Sequence, residues 1–507
     1  VTRPNRTYNR TAGRRIDAGR ANPPHITHHP RQRMPQPPET QGGPSVSISE
    51  TRSSDATANG NAIDMLHGPI WNRALLFALP VAATGVLEQL FNATGVAIVG
   101  NFSGANDTQA VAAVGANSFI VMLVVNFFIG ISLGANVVIA NAVGRGSSDA
   151  VSKAVHTAIV TAVCGGLLAL VVGELGAAWI LGLLNVPADV FPLALLYLRI
   201  YLIGLPVILL YNFEAAIFRA IGDTRTPLKT LALAGVLNVG LGFLFTAGLG
   251  WSVAGVATAT VMSNAFSSLA LLFLLMRTDA PIHVDPRKLR VDGLALRSIL
   301  RIGLPAGLQG AVFAFANVII QGAINSLGTT VIAASSAAFN IEAVAYQVLN
   351  SFSQACATFT GQNYGAGQVR RCRRVLAICY LEDLVVTATV IAIVLFFGHG
   401  LLTIFVHDPS TVAVGYVRLV TVFIGYIFSM AYEMASGYLR GFGISLVPAL
   451  LTVAGVCGTR FYWVAFVFPA HHTFAWIMAV YPVSLAITAA LVIVSLLAYR
   501  PSRRFAA

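Results

Sequence analysis

Charge is scarce in this 507-residue chain: Asp, Glu, Lys and Arg make up only 10% of it, while 56% is hydrophobic and the mean hydropathy is +0.74. Those values exclude an ordinary soluble domain of this length, for which about a quarter of residues would be charged. Cysteine is scarce too. Cys164, Cys356, Cys372, Cys379 and Cys457 are scattered, without the paired spacing of a metal site or a disulfide framework, and read as small structural hydrophobes. No phosphate-cradling Gly loop of the Walker type is present, which argues against direct nucleotide drive. GISLG at Gly130–Gly134 matches a nucleophile-elbow pattern but sits inside an apolar run, not at a strand-to-helix turn. His471 and His472 lack an acid or second His pair at ligand spacing, so neither a metal nor a resident cofactor is expected.

The formal net charge is +12, and its placement argues against a nucleic-acid partner. Nine arginines lie in the first 52 residues, in a stretch rich in Pro, Gly, Ser, Thr and His that has no apolar period. Residues 1–68 therefore read as a disordered basic tail, without the apolar centre of a secretory signal, and Met34 and Met65 are alternative starts.

Beyond the tail the chain is a series of apolar windows of the length that a bilayer requires, about 20 residues each. The windows are 74–99, 111–142, 154–183, 191–219, 228–248, 252–277, 296–325, 330–360, 375–401, 413–440, 446–468 and 474–498. Connections after even-numbered windows carry or border Arg145, Lys153, Arg225, Lys229, Arg287, Lys288, Arg290 and the run Arg370–Arg374, whereas the opposite set has no Lys or Arg. Basic loops remain in the cytoplasm, so both termini are expected there, in a multi-pass protein of the cytoplasmic membrane.

The second half of the series repeats the first. FRAIGDTRTP at Phe218–Pro227 lies against YLRGFGISLVP at Tyr438–Pro448, pairing Arg219 with Arg440, Gly222 with Gly443 and Pro227 with Pro448, each 221 residues apart. The same offset lays AVGRG at Ala142–Gly146 on NYGAG at Asn363–Gly367. Six spans per half is an even number, so the halves form a parallel repeat about the membrane normal. The expected architecture is all-α integral membrane, with about twelve transmembrane helices in two six-helix pseudo-symmetric lobes: an N-lobe at 69–280 and a C-lobe at 281–507. Repeats of this kind are how many secondary transporters build a pathway between two halves.

GLPAGLQGAVFAFANVIIQGAINSLGTTVIAA at Gly303–Ala334, GQNYGAG at Gly361–Gly367 and the paired FRAIGD…P and LRGFG…P segments together resemble the multidrug and toxic compound extrusion (MATE) transporters, in particular the bacterial branch near the DinF-type proteins. The resemblance implies two lobes around a central cavity and export of amphipathic, often cationic compounds in exchange for sodium ions or protons. It implies a transporter, not an enzyme. A first-helix Asp common in the family is replaced by Gly95 in LFNATGVAIVG, and an Asp on the tenth helix by Ser429; the seventh helix carries no acid. The expected alternative is a lipid-linked saccharide flippase of the same superfamily.

A carboxylate within hydrocarbon costs about 2.5–3.5 kcal/mol on insertion scales, so each one is a functional candidate. Glu88 lies on a stripe with Thr84 and Asn92 at helical spacing; Gln309, Asn317 and Gln321 form a related stripe when Pro80 is laid on Pro305. Glu433 follows Ser429 by one turn and has Asn212 as its repeat mate. Glu342 and Arg460 fall at similar depths, which suggests a buried ion pair. The expected coupling or substrate groups are thus Glu88, Glu433 and Glu342, with Asn92, Asn212, Gln309, Asn317 and Gln321 lining a cavity. Glu214 is expected at the interface. Both halves lie in one chain, so a functional monomer in a lipid bilayer is expected.

Overall fold

The computed structural model describes residues 61–103 and 107–501, which fall within one compact unit, residues 53–507. The tail reading for residues 1–60 lies outside the described residues. Twelve described helices are long and apolar enough to cross a membrane: α1 Ile70–Phe102, α2 Asp107–Gly144, α3 Ser148–Leu183, α4 Phe191–Ala220, α5 Arg225–Gly248, α6 Ser252–Arg277, α7 Gly293–Asn325, α8 Thr329–Gly365, α9 Val369–Thr403, α10 Pro409–Gly441, α11 Leu446–Ala470 and α12 Phe474–Tyr499. Each expected window falls within one of them. In a membrane the backbone must satisfy its own polar groups, and helices that do so explain why no strand occurs among the described residues.

The two halves pack alike. In the first, α4 packs on α2, α3 and α6, and α5 on α6 and α1; in the second, α10 packs on α8, α9 and α12, and α11 on α12 and α7. The sequence repeat is visible in the backbone. Gly146 and Gly367 are repeat mates with φ of +67° and +73°, and Gly222 and Gly443 are mates with φ of +91° and +80°. Each follows a helix end in the left-handed conformation that glycine adopts without a Cβ penalty. The hydrogen bonds repeat as well: Asp223 N–H donates to Phe218 O (3.0 Å) and Ile444 N–H to Leu439 O (3.0 Å), while Ser147 N–H donates to Ala142 O (3.3 Å) and Gln368 N–H to Asn363 O (2.8 Å). The repeated RAIGD/RGFGI and AVGRG/NYGAG motifs are thus helix-stop signals.

The halves are joined mainly by α2 with α7, its repeat counterpart α8 with α1, and α2 with α8, with smaller contacts of α1 with α9 and α3 with α7. On the α2–α7 side glycines let the backbones touch. A Cβ at Gly130 would fall on the backbone of Gly307, one at Gly134 on Ile299 O, and one at Gly303 would lie 2.7 Å from Ile131 O. The counterparts on the α1–α8 side are Ala78, Ala82, Ser351 and Ala355, whose side chains are buried in the contact.

Hydrogen bonds between the halves fall toward the end of the molecule that carries the basic loops. Thr358 Oγ1 donates to Asn136 Oδ1 (2.8 Å), Gln362 Nε2 to Ala220 O (2.7 Å) and Arg219 Nη1 to Gln354 Oε1 (3.1 Å). The linker before α7 is tied to α3: Asp285 N–H donates to His156 Nε2 (3.1 Å) and Asp292 N–H to Thr157 Oγ1 (3.0 Å).

One boundary needs correction. Residues 61–68, expected in the disordered tail, pack against both halves: Ile63 N–H donates to Gly222 O (3.3 Å), while Asn363 Nδ2 donates to Met65 O (3.1 Å) and Arg371 Nη2 to Gly68 O (2.9 Å). The Met65 side chain is buried among α1, α8, α9 and α10. Two apolar side chains, Met65 and the partly buried Ile63, and a few backbone hydrogen bonds make that docking, too little to register in a window average.

Candidate functional site

Glu88 lies on the looser α1–α8 seam. It is half-buried, and its carboxylate has no hydrogen-bond or ion-pair partner among the described residues. Gln347 of α8 lies against α1 one turn earlier, where a Cβ on Gly85 would stand 2.7 Å from Gln347 Oε1. Across from it α4 places Tyr201, Tyr211 and Arg219 within electrostatic reach of Glu88. The Tyr211 hydroxyl is buried without a partner. Asn212 is half-buried on the same helix and spends its amide on Ile208 O (2.9 Å). Of the expected stripe, Asn92 is exposed, whereas Thr84 is buried with its hydroxyl on Pro80 O (2.9 Å). Gly95, where the family acid is missing, faces α6; a Cβ there would come within 3.1 Å of Val256 Cγ1, a tight contact with a side-chain methyl.

The second half meets the equivalent arginine differently. Glu433 is buried on α10 one turn below Ser429, with Arg440 Nη2 3.3 Å from Oε2, Tyr346 donating to Oε1 (3.1 Å) and Ser353 Oγ donating to the Glu433 carbonyl (2.8 Å). Arg440 is the repeat mate of Arg219. Each half therefore sets a carboxylate toward the same arginine, taken from α10 in one half and from α1 in the other.

Glu342 does not pair with Arg460. It forms a fork with Arg418, Nε to Oε1 at 2.7 Å and Nη2 to Oε2 at 2.8 Å, while Arg418 Nη1 donates to Ser335 Oγ (2.5 Å) and the Tyr426 hydroxyl to the Glu342 carbonyl (3.0 Å). Both partners are buried and both carboxylate oxygens are occupied, so the group has no free valence for a passing cation. Arg418 is a mid-helix charge that the spacing argument overlooked, although it lies plainly within the 413–440 window. Arg460 is buried instead on Asn317 Oδ1 (2.6 Å), between the rings of Phe313 (4.9 Å) and Tyr481 (4.7 Å). Arg418 and Arg460 both lie against the Tyr481 ring, and α11 has π-helical turns at Val453–Gly458 and Trp463–Val467 on either side of Arg460, which alter the direction a regular helix would give it.

The remaining lining candidates separate. Gln309 is half-buried and makes no side-chain hydrogen bond among the described residues, whereas Gln321 is tied to Asn325 Oδ1 (2.9 Å) near the far end of α7. Glu214, expected at the interface, is fully buried, with Ser268 Oγ donating to Oε2 (2.9 Å) and Oε1 without a partner. On α9, Asp383 is likewise buried.

The MatE family model matches this chain twice, over residues 80–244 and 305–463, once in each half. Over 433 residues the chain is 25% identical to the probable multidrug resistance protein YoeA of Bacillus subtilis, covering 83% of this chain and 92% of that one. Over 397 residues it is 27% identical to the probable multidrug resistance protein YpnP of the same organism, covering 77% and 87%. A solved structure of the outward-facing conformation of a multidrug resistance MATE family transporter of the MOP superfamily superposes with a TM-score of 0.78 at 19% identity, covering 87% of this chain and 99% of that one.

Proposed function

This chain belongs to the MatE family of membrane transporters, and on that premise we propose that it is an ion-coupled antiporter, exporting amphipathic, cationic compounds in exchange for sodium ions or protons. It is a multi-pass membrane protein that extrudes compounds, not an enzyme. In this reading it acts as a monomer in the cytoplasmic membrane with both termini inside, and the substrate is carried as its two lobes, 69–280 and 281–507, rock against each other.

The observation that carries the proposal is Glu88: a half-buried carboxylate without a direct partner, on the looser seam between the halves, with Tyr201 and Tyr211 within electrostatic reach. Aromatic faces and a free carboxylate suit an apolar cation. One carboxylate that serves either a coupling ion or the substrate's positive charge makes the two exclusive, which is the requirement for exchange. With the basic loops in the cytoplasm, the hydrogen bonds between the halves close the cytoplasmic side, in keeping with the outward-facing state of the superposable relative. The flippase alternative loses ground, since the matched relatives are described as multidrug resistance proteins.

The test is uptake of a fluorescent lipophilic cation into proteoliposomes under an imposed sodium gradient, an imposed proton gradient, or neither. Movement that follows one gradient supports antiport and identifies the ion. Folded protein that moves no cation under either gradient would overturn the reading, and labelled lipid-linked precursors would be tried next.

A further inference from the structure

A further buried carboxylate of the second half, besides Glu342 and Glu433, lies outside the α1–α8 seam. Asp383, in the middle of α9, has no exposed surface. Thr387 Oγ1, one turn on, donates to Oδ1 at 3.1 Å, and Oδ2 has no hydrogen-bond partner. The charge that reaches it from the neighbouring helix α10 is of the same sign, Glu433. Elsewhere around it, α9 itself brings Glu382 and Cys379, and α8 brings Cys356 beside Cys379 and Tyr346 on Glu433. From α1 the same apolar cluster receives Phe77, Ala78 and Val81. Arg440 is the cation of the group, and it is committed to Glu433.

A carboxylate ion with an empty oxygen, a single neutral donor and a like charge nearby is costly in a dry interior. A metal cation does not answer that cost. Both Glu433 oxygens are engaged by Arg440 and Tyr346, which leaves Asp383 Oδ2 as the one carboxylate oxygen of the Asp383–Glu433 pair without a hydrogen-bond partner, too few for a coordination shell. A proton needs only the vacant Oδ2.

We propose that Asp383 is a proton-binding site of this transporter, carrying its exchangeable proton on Oδ2 while Glu433 remains ionised against Arg440. The proposal deepens the antiport reading above and rests on it for its role in exchange. The charge balance gives the logic. With Asp383 protonated, Glu433 and Arg440 cancel; when the Oδ2–H bond breaks and the proton passes to water admitted by movement of α9 and α10, the cluster gains one negative charge. That charge favours a cation near Glu433, so one proton leaves for each monovalent cation taken up. Because only burial and the Thr387 bond hold Asp383, the Asn variant keeps the shape and removes the proton.

Two readouts test this on the full-length protein. Infrared difference spectra of wild type against D383N at neutral pH should contain the C=O stretch of a protonated carboxyl group, present in wild type and absent in D383N. In weakly buffered detergent solution, binding of tetraphenylphosphonium should release about one proton per cation from wild type and none from D383N, whose folding is checked by thermal unfolding. A spectrum unchanged by D383N, or equal proton release from both proteins, would overturn the proposal. Loss of the band with no cation binding by wild type would leave the protonated Asp383 in place and bring down the exporter reading instead.

Discussion

Gly144 at the end of α2 and Gly365 at the end of α8 occupy repeat-equivalent positions, and each lies against the backbone of the other's helix. A Cβ on Gly144 would fall on the carbonyl oxygen of Gln362, and one on Gly365 would fall on that of Asn141, the repeat mate of Gln362. The contact is therefore its own two-fold partner, and it holds the halves together at the end that bears the basic loops.

Overfilling that crossing should weaken it. Gly144→Ala and Gly365→Ala each force backbones apart, a cost of about 1–3 kcal/mol for overpacking in a close contact. The expected result is a lower thermal midpoint and greater separation of spin labels placed on Arg145 and Ala366, with Gly146→Ala affecting only the turn, where nothing lies within 4 Å of a new Cβ. Equal label distances in wild type and both helix-end variants would show that the crossing does not hold the halves closed.

Glu88→Gln removes a charge that no direct partner uses. Folding and membrane insertion should be retained, while export of a lipophilic cation falls by at least tenfold in the proteoliposome assay. Unchanged export would exclude Glu88 from the transport path.

The Glu342–Arg418 fork predicts an asymmetric mutational pattern. Glu342→Gln leaves Arg418 buried and uncompensated and should cost about 3–5 kcal/mol, whereas replacing both residues together with Met should recover most of that loss. Thermal unfolding in detergent reads the difference. A double variant no more stable than Glu342→Gln would mean that the fork itself, and not the orphaned charge, supports the core.

Asp408 caps the first turn of α10: its Oδ2 accepts from Ser410 Oγ (2.5 Å), Thr411 Oγ1 (2.7 Å) and Thr411 N–H (2.9 Å). These bonds, the hydroxyls foremost, hold its carboxyl down at about 2. A lowered folded value means the ionised cap stabilises the helix above the ordinary carboxylate range, near 4, and that contribution fades as pH falls through about 2. Wild type should unfold at a higher temperature than Asp408→Ala at neutral pH, and the gap should close progressively in acid. A gap independent of pH would show that the charge contributes nothing.

The sequence by itself determined the twelve spans, their twofold repeat and the family, because each rests on properties summed along the chain. Hydropathy over about 20 residues decides what enters a bilayer, and glycines at fixed offsets stop equivalent helices whatever surrounds them. It also marked the intramembrane carboxylates, since charge in an apolar run is costly wherever it points. Partnership was decided only by the tertiary structure. Glu342 meets Arg418 and not Arg460, Glu214 is buried against Ser268, and Met65 docks between the halves, because each outcome depends on the rotation and close approach of helices far apart in the chain. A window of residues fixes how deep a side chain sits; which side chain lies opposite depends on packing between elements, and that information is absent from either helix alone.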